Sequence, residues 1–211
     1  WTELELSFGQ YEYEYLLING SRLPDPFSRR LSNGKTRIEI GGGGISTADD
    51  YIWQSDGYVR PSLDTLIIYE LHVDDFAAQG SGQGTFDDVI ARLDHLKESG
   101  INAIELMPIT EFPGERSWGY NPEIMSSVEG AYGTPEEFKQ LVDDAHSRGL
   151  AVILDLVWNH ATSSTPIWQI QPNNDLNPYF KNPNDLNPNE TAGTWGMLDF
   201  DHFNEKTIEY I

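Results

Sequence analysis

The apolar segment LAVILDLVWNH, residues 150–160, ends in three side chains that could do chemistry together. Asp155, Asn159 and His160 place a carboxylate, an amide and an imidazole within six residues. An ionised carboxylate in an apolar strand is costly unless a partner compensates its charge. At a strand end, such a cluster can bind a metal ion or a ligand rich in hydroxyl groups. Strand-end Asp and Asn side chains also cap loops, and a single histidine is more often structural, so the residues alone leave both interpretations open.

Three nearly continuous apolar segments are predicted to be the strands that position this cluster. They are LIIYELHV at 66–73, INAIELMPI at 101–109 and LAVILDLV at 150–157. Two amphipathic segments, 85–100 and 134–149, separate them and have helical spacing. Apolar strands that alternate with helices indicate parallel pairing in a βαβαβ unit, with both faces of the sheet covered.

Both predicted helices carry local start and stop signals. Each begins with a threonine that can form a capping box with an acidic residue three positions later, and each ends at a glycine. The boxes pair Thr85 with Asp88 and Thr134 with Glu137, and the glycines are Gly100 and Gly149. Apolar residues at helical spacing predict the buried face of the first helix. These residues are Phe86, Val89, Ile90, Leu93 and Leu96.

The residues before the first of these strands have a different pattern. Segments 3–8 and 11–18 alternate apolar with polar residues around the turn-prone Gly9, which predicts a strand pair. NGKT at 33–36 lacks the first glycine and the preceding strand of a phosphate-binding loop, so it is interpreted as a turn. The glycine run that follows predicts a junction, with a domain boundary within 41–62.

Residues 158–211 interrupt the alternation of strands and helices. They are rich in Asn, Pro and Asp and contain NDLNP twice, at 174–178 and 184–188. Two copies with so short a period do not predict a repeat architecture. We interpret the segment as a long functional loop or small subdomain that follows the third strand, at the edge where α/β proteins place their sites.

Composition limits the classes of function. The chain has 211 residues, 38% of them hydrophobic, which suits one large domain or one and a half small ones. Its 13 Lys and Arg against 34 Asp and Glu give a net charge of -21, which repels nucleic acid and anionic membranes. No apolar run is long enough to span a membrane. With no cysteine, the chain has neither a disulfide framework nor a thiolate metal site.

The start of the chain and its compartment give weaker signals. The sequence opens at Trp1 with neither Met nor an apolar signal segment, so this start is expected to be a processed or truncated end. Composition does not determine the compartment, although an extracellular or periplasmic location is slightly favoured.

Several segments resemble, in the same order, successive pieces of the α-amylase superfamily, glycoside hydrolase family 13. DLVWNH at 155–160 is similar to the family's first signature region, at the end of the third barrel strand. IYELHV, GTFDDVIARLDHLKESGINAIELMPITEF, SWGYNP and AYGTPEEFKQLVDDAHSRG resemble other pieces, and the matches together cover residues 63–160. GQYEYEYLLING and LPDPFS are similar to the last strands of the starch-binding β-sandwich of carbohydrate-binding module family 48.

The resemblance implies an α/β fold built from part of a (β/α)8 TIM barrel. Residues 63–157 would form the first three strands and two helices of the barrel. Residues 1–40 would be the remnant of an all-β sandwich module, and 41–62 a linker. Residues 158–211 would be the long loop after the third strand and the start of the next helix.

The same resemblance implies roles for individual residues. Tyr120, in WGYNP, corresponds to the aromatic platform under the sugar at the cleavage subsite, and Trp118 is a further substrate-binding candidate. A buried core aromatic is the alternative for Tyr120. His160 would donate hydrogen bonds to the same sugar. Asp155 would hold the arginine beside the nucleophile.

Calcium is the implied cofactor, and no organic cofactor is expected. Asn159 corresponds to a calcium ligand in many amylases. MLDFD at 197–201 resembles a second calcium-binding stretch and assigns Asp199 to a ligand position, although the proline of the family's pattern is missing.

The family's two reactive carboxyl groups have no counterpart in this sequence. Retaining glycosidases need a nucleophile and an acid/base about 5 to 5.5 Å apart, and the resemblance implies both lie downstream of Ile211. Glu105, Glu111 and Glu115 match neither. We therefore expect a fragment, inactive alone, of an α-glucan-acting retaining hydrolase that cleaves α-1,4-glucosidic bonds.

The expected partners are an α-glucan, namely starch, glycogen or a maltooligosaccharide, and the missing C-terminal remainder of the same enzyme. No nucleic acid or membrane partner is expected. The alternatives are a glucan branching transglycosylase of the same superfamily and a non-catalytic glucan-binding protein.

Overall fold

The computed structural model describes residues 4–41, 44–46, 51–78, 82–173, 175–182 and 196–211. Short antiparallel strands at the start of the chain precede an α/β arrangement from residue 68 onward. The strands are β1 (Gly9–Tyr13), β2 (Tyr15–Leu16), β3 (Arg22–Leu23), β4 (Leu31–Ser32), β5 (Lys35–Gly41), β6 (Gly44–Ser46), β7 (Ile68–Leu71), β8 (Ala103–Leu106), β9 (Thr110–Glu111), β10 (Ile124–Val128), β11 (Ala151–Leu154), β12 (His160–Ala161) and β13 (Leu198–Asp199). The helices are α1 (Val73–Ala77), α2 (Phe86–Ile90), α3 (Leu93–Glu98), α4 (Pro135–Ser147), α5 (Pro166–Gln169) and α6 (Glu205–Tyr210).

The parallel sheet formed by β7, β8 and β11 has β8 in its centre. Its strands are in register, with Tyr69 beside Ile104 and Ile104 beside Val152. This confirms the predicted parallel pairing of the three apolar segments. Because the strands run in the same direction, their carboxyl ends meet at one edge of the sheet, where α/β proteins commonly bind ligands.

The helices that connect these strands begin and end as predicted. Thr85 and Thr134 both form capping boxes. Gly100 and Gly149 follow the helices with φ angles of 88° and 75°, a left-handed conformation that favours glycine. The predicted apolar face packs into the main core, where four of its side chains are at most 2% exposed. These are Phe86, Val89, Leu93 and Leu96.

The single helix predicted over 85–100 is two helices, α2 and α3, because the chain turns at Ala91 and Arg92. The Arg92 guanidinium donates to the carbonyl of Phe76 at 2.7 Å and lies 5.6 Å from the centre of the Phe76 ring. The turn therefore connects this helical segment to α1, a contact between distant residues that helical spacing does not predict.

The prediction that both faces of the sheet are covered is wrong for its outer strands within the described ranges. Ile68 on β7 and Leu154 on β11 are 46% and 39% exposed, whereas Ile104 and Leu106 on the central β8 are fully buried. β7 and β11 each have a strand neighbour on one side only in this part of the chain. Their exposed side chains and free edges follow from that arrangement.

The N-terminal sheet has a different pairing from the one predicted. β1 pairs antiparallel with β5, which also pairs with β4 and β6. The predicted pair between 3–8 and 11–18 is wrong, because residues 4–8 form no strand. The turn predicted at NGKT is confirmed. Asn33 and Gly34 connect β4 to β5 with φ angles of 51° and 72°, both in the left-handed region typical of tight hairpins.

Part of the junction predicted at 41–62 packs against the α/β part of the chain. Asp143 of α4 is 5% exposed and accepts hydrogen bonds from the backbone N–H groups of Gln54 and Ser55, both at 2.8 Å. It also accepts from the Tyr51 hydroxyl at 3.2 Å. This carboxylate therefore holds the segment on α4. The division of the chain into domains stays a prediction.

The region after β11 contains a second small core. Phe180 and Phe200 stack with ring centroids 4.8 Å apart, and Ala161 and Ile167 are buried beside them. The second NDLNP copy, at 184–188, lies outside the described residues. Across the part of the chain that the structure describes, no helix has both the length and the apolar character needed to cross a bilayer.

Candidate functional site

The predicted site residues meet at the carboxyl ends of β8 and β11. Asp155 directly follows β11, and its backbone N–H donates to the carbonyl of Leu106 at 3.0 Å. Two residues earlier, Ile153 is paired through β8 with Glu105 and Glu70. Alternate residues of a strand share a face, so Asp155 lies on the same side of the sheet as these two glutamates.

Tyr120 supplies a partner for Asp155 within this chain. Its phenolic O–H donates to Asp155 Oδ2 at 2.6 Å. This hydrogen bond, together with partial burial and the charges of Asp155, Glu70 and Glu105, raises the pKa of Tyr120 to about 12. The side chain is 40% exposed, so part of the ring is open to a ligand. The predicted role of Asp155 in holding an arginine stays a prediction.

His160 contacts the backbone of the same tyrosine. Its Nε2 donates to the Tyr120 carbonyl oxygen at 2.8 Å, and its Nδ1 lies 3.1 Å from the side-chain nitrogen of Asn159. Both ring nitrogens therefore contact protein atoms, and donation from Nε2 to a sugar would have to replace or share the bond to Tyr120. Sequence reasoning missed this role of His160 in holding the Tyr120 backbone.

The loop that carries Trp118 and Tyr120 is fixed by a close backbone contact. Gly119 has a φ angle of 84°, and a Cβ at this position would lie 2.3 Å from the carbonyl oxygen of Pro108. Only glycine fits this contact without a shift of the backbone. Trp118, next to it, is 66% exposed, and its part in binding substrate stays a prediction.

Two glutamates, the buried Glu129 and the half-buried Glu111, lie at the base of this loop, and sequence reasoning missed them as a pair. Glu129 is 2% exposed and accepts from the backbone N–H groups of Phe112 and Ala131 at 3.2 and 2.9 Å. Glu111 accepts from the N–H of Gly130 at 3.0 Å. Burial, and then the charge of Glu129, raise the pKa of Glu111 to about 8. The pairing of β9 with β10 brings the two carboxyl groups together, and no local pattern signals it.

The two residues predicted to bind calcium are neighbours. Asp199 pairs with His160 between β13 and β12, and its Oδ1 lies 3.5 Å from Asn159 Nδ2. Carboxylate and amide oxygens suit Ca²⁺, which takes about six to eight oxygen ligands. Among the residues that the structure describes, no group of three or more acidic, histidine or cysteine side chains could hold a metal ion. Calcium binding stays a prediction.

In comparison with known protein families, residues 68–206 match the family described as Alpha amylase, catalytic domain. Malto-oligosyltrehalose trehalohydrolase of Saccharolobus solfataricus is 42% identical over 148 residues, which cover 70% of this chain and 25% of that protein. The 1,4-alpha-glucan branching enzyme of Rhizobium johnstonii is 33% identical over 172 residues, 75% of this chain and 23% of that enzyme. The chain spans about a quarter of the length of these curated relatives.

Solved structures share the fold. A Salmonella typhimurium protein assigned as an α-amylase superposes with a TM-score of 0.77 and 30% identity, over 95% of this chain and 31% of that chain. The GBS pullulanase, solved in complex with maltotetraose, has a TM-score of 0.60 and 23% identity, over 81% of this chain and 27% of that chain. The family match begins at residue 68 and does not cover the N-terminal sheet.

Proposed function

The chain belongs to the family of α-amylase catalytic domains, and we propose that the protein carrying it is a glycoside hydrolase that acts on α-glucans. The observation that carries this proposal is the arrangement of Tyr120, Asp155 and His160 at the carboxyl ends of the parallel strands. A partly exposed aromatic ring beside polar groups suits a sugar. The C–H face of the sugar stacks on the ring, and its hydroxyl groups bond to the polar side chains.

In this proposal the chain binds and orients the sugar, and the reacting groups come from elsewhere. Retaining glycosidases use two accessible carboxyl groups about 5 to 5.5 Å apart. Glu111 and Glu129 do not suit this role, because Glu129 is 2% exposed and both carboxyl groups accept from backbone N–H groups. They support the loop instead.

We infer that further strands complete a (β/α)8 barrel with β7, β8 and β11 and carry the nucleophile and the acid/base. The exposed side chains of Ile68 and Leu154 on the outer strands support this inference, because the packed interior of a closed barrel and its outer helices would cover both faces of these strands. Residues 1–211 alone are then inactive. The lengths of the relatives also support the inference of further strands, since the match to this chain covers only about a quarter of each relative.

The proposed substrate is a malto-oligosyltrehalose, hydrolysed with release of trehalose. Identity of 42% to a malto-oligosyltrehalose trehalohydrolase, against 33% to a branching enzyme, supports hydrolysis over transfer. A branching transglycosylase of the same superfamily is the second candidate, supported by the 33% identity to a branching enzyme over 172 residues.

Two finer proposals concern the rest of the chain. The sheet formed by β1, β4, β5 and β6 would be the end of a carbohydrate-binding module of family 48, which the sequence similarity of GQYEYEYLLING supports. Asn159 and Asp199 would contribute oxygen ligands to a calcium site, which their proximity supports.

An assay on the protein that carries this chain separates the candidate activities. Malto-oligosyltrehalose is expected to yield trehalose and new reducing ends in equal amounts. A change in the iodine colour of amylose without new reducing ends would indicate branching instead. Binding of maltotetraose without turnover of either substrate would favour a non-catalytic glucan-binding protein.

A matched pair of variants tests the role of the site in that assay. Y120A is expected to lower the rate about tenfold or more, because it removes the aromatic contact with the sugar. W53A is the control, since Trp53 is also 40% exposed and lies in the 51–58 segment, outside both the site of Tyr120 and the N-terminal strands. Equal rates for Y120A and W53A would contradict the proposal.

A further inference from the structure

His72 lies directly after β7 and is buried beneath the loop that carries Tyr120. It is 9% exposed, and its Nδ1 accepts the backbone N–H of Asp75 at 3.2 Å, which caps the first turn of α1. Nδ1 also lies 3.2 Å from Asp75 Oδ2. A carbonyl oxygen can only accept, so a contact of Nε2 with a carbonyl requires the proton on Nε2. Nε2 lies 2.8 Å from the carbonyl oxygen of Ser117 and donates to it.

Tyr132 completes this contact from the other side. Its side chain is 1% exposed, and its hydroxyl lies 2.8 Å from His72 Nε2 and 3.4 Å from the Ser117 carbonyl oxygen. The ring packs edge-on against Phe86 and Phe112, with centroids 6.0 and 5.9 Å apart. The contact to Ser117 is therefore anchored in the main core of the α/β part.

We propose that His72 is a positioning residue for sugar binding: with Tyr132 it holds the Ser117 carbonyl and thereby the ring of Tyr120 in the cleft. This inference rests on the proposed function, because it takes Tyr120 as the surface on which the sugar stacks. Only Trp118 and Gly119 separate Ser117 from Tyr120, and contacts of Gly119 restrain this segment. Gly119 lies against Pro108, and its N–H donates to the Ser117 hydroxyl at 3.1 Å.

Displacement of Ser117 would therefore move Tyr120. The ring of Tyr120 makes one hydrogen bond to Asp155 and is 40% exposed, so its own contacts restrain it less than those of a core residue. Replacement of His72 would remove the donor to the Ser117 carbonyl oxygen. A carbonyl that loses its hydrogen-bond donor favours rearrangement of the loop.

Two substitutions separate the two contacts that His72 makes. H72N keeps an acceptor near the position of Nδ1, which preserves the cap on α1, but it has no group at the position of Nε2. H72Q places an amide donor near the position of Nε2, which preserves the bond to Ser117, but weakens the cap. Y132F removes only the hydroxyl and is the second test if H72N fails to fold.

The experiment measures amide hydrogen exchange of residues 117–121 and the affinity for maltotetraose, in the protein that carries this chain. H72N and Y132F are expected to speed exchange in this segment about threefold to tenfold and to weaken maltotetraose binding by a similar factor, the range of one buried hydrogen bond. H72Q is expected to stay within about twofold of the unmodified protein in both. A residue with a general structural role would instead lower the global unfolding free energy and speed exchange throughout the core.

Unchanged exchange at 117–121 in H72N and Y132F would overturn the proposal. Faster exchange with unchanged maltotetraose affinity would also overturn it, as would failure of H72Q to retain the affinity. Y120A separates this failure from failure of the proposed function. If Y120A does not weaken maltotetraose binding, the proposed function fails, whereas a weakened Y120A beside an unaffected H72N refutes only the role of His72.

Discussion

Replacement of Gly119 by alanine tests whether the backbone contact with Pro108 fixes the loop that carries Tyr120. The added Cβ would lie 2.3 Å from the Pro108 carbonyl oxygen and 2.7 Å from the Pro108 Cβ. Backbone atoms cannot move aside as the end of a flexible side chain can. The loop must therefore shift away from β8, and Tyr120 must shift with it.

The size of the effect has two parts. Gly119 has a φ angle of 84°, and an L side chain in the left-handed region costs roughly 1–2 kcal/mol. Overpacking against the backbone adds about 1–3 kcal/mol. Gly114, in the same loop, has a φ angle of 87° and no atom within 4 Å of a Cβ built on it. G114A therefore carries the conformational cost alone and is the matched control.

Urea unfolding of G119A and G114A gives the two free energies, and titration with maltotetraose reports the position of Tyr120. We expect G119A to be less stable than G114A by about 1–3 kcal/mol. We also expect G119A to bind maltotetraose more weakly, with G114A unchanged. Equal stability and equal affinity of the two variants would refute the reasoning, because the contact with Pro108 would then not restrain the loop.

Three further predictions concern other parts of the chain. E111Q is expected to reduce the fall in the free energy of unfolding with rising pH, because burial and the charge of Glu129 raise the pKa of Glu111 to about 8. Urea unfolding at several pH values measures this dependence. D155N is expected to lower the pKa of Tyr120 below about 12, since the hydrogen bond from Tyr120 to Asp155 is the largest cause of its rise, and NMR titration of labelled tyrosine measures it. D143A is expected to speed chymotrypsin cleavage within 51–58 about tenfold, because Asp143 holds this segment on α4.

The pH dependence at Glu111 has a definite sign. In the unfolded chain this carboxyl ionises near its ordinary pKa of 4.5, whereas in the folded protein it keeps its proton up to about 8. Between these values the folded state binds more protons, so stability falls as pH rises, by at most about 1.4 kcal/mol per pH unit. E115Q, which removes one negative charge at an exposed position of the same loop, is the control. A slope in E111Q equal to that of the unmodified protein would contradict the cause given for the raised pKa.

The other two predictions have their own contradicting outcomes. An unchanged Tyr120 pKa in D155N would mean that the hydrogen bond does not govern the titration. For D143A the control is D144A, because Asp144 pairs with Arg148 instead of the 51–55 segment. Equal cleavage of D143A and D144A would contradict the anchoring role of Asp143.

The elements predicted correctly are those whose signals are local. The capping boxes at Thr85 and Thr134 and the turn at Asn33 and Gly34 each depend on residues within a few positions, and all are formed. The parallel strands were predictable because their apolar runs are bounded by helices with clear ends. The pairing of 3–8 with 11–18 failed, because alternation predicts a strand and leaves its partner open.

The sequence indicates which residues of the candidate site lie together but not the contacts they make, and their role in binding sugar stays a prediction. Spacing and resemblance identify Tyr120, Asp155 and His160, and the structure brings the three together. The hydrogen bond from His160 to the Tyr120 carbonyl, and the proximity of Glu111 to Glu129, depend on contacts between segments that are distant in the sequence. No local sequence pattern predicts such long-range contacts, so they are visible only in the folded structure.

The most direct test of the central claim, that Tyr120 at the carboxyl ends of the parallel strands binds glucan, is a calorimetric titration of Y120A, Y120F and W53A with maltotetraose. Loss of the ring in Y120A is expected to weaken binding about tenfold, which corresponds to about 1.4 kcal/mol of aromatic contact. Y120F keeps the ring and W53A removes an equally exposed aromatic ring of the 51–58 segment, so both are expected to bind within about threefold of the unmodified protein. Unchanged affinity in Y120A, or equal losses in Y120A and W53A, would contradict the account.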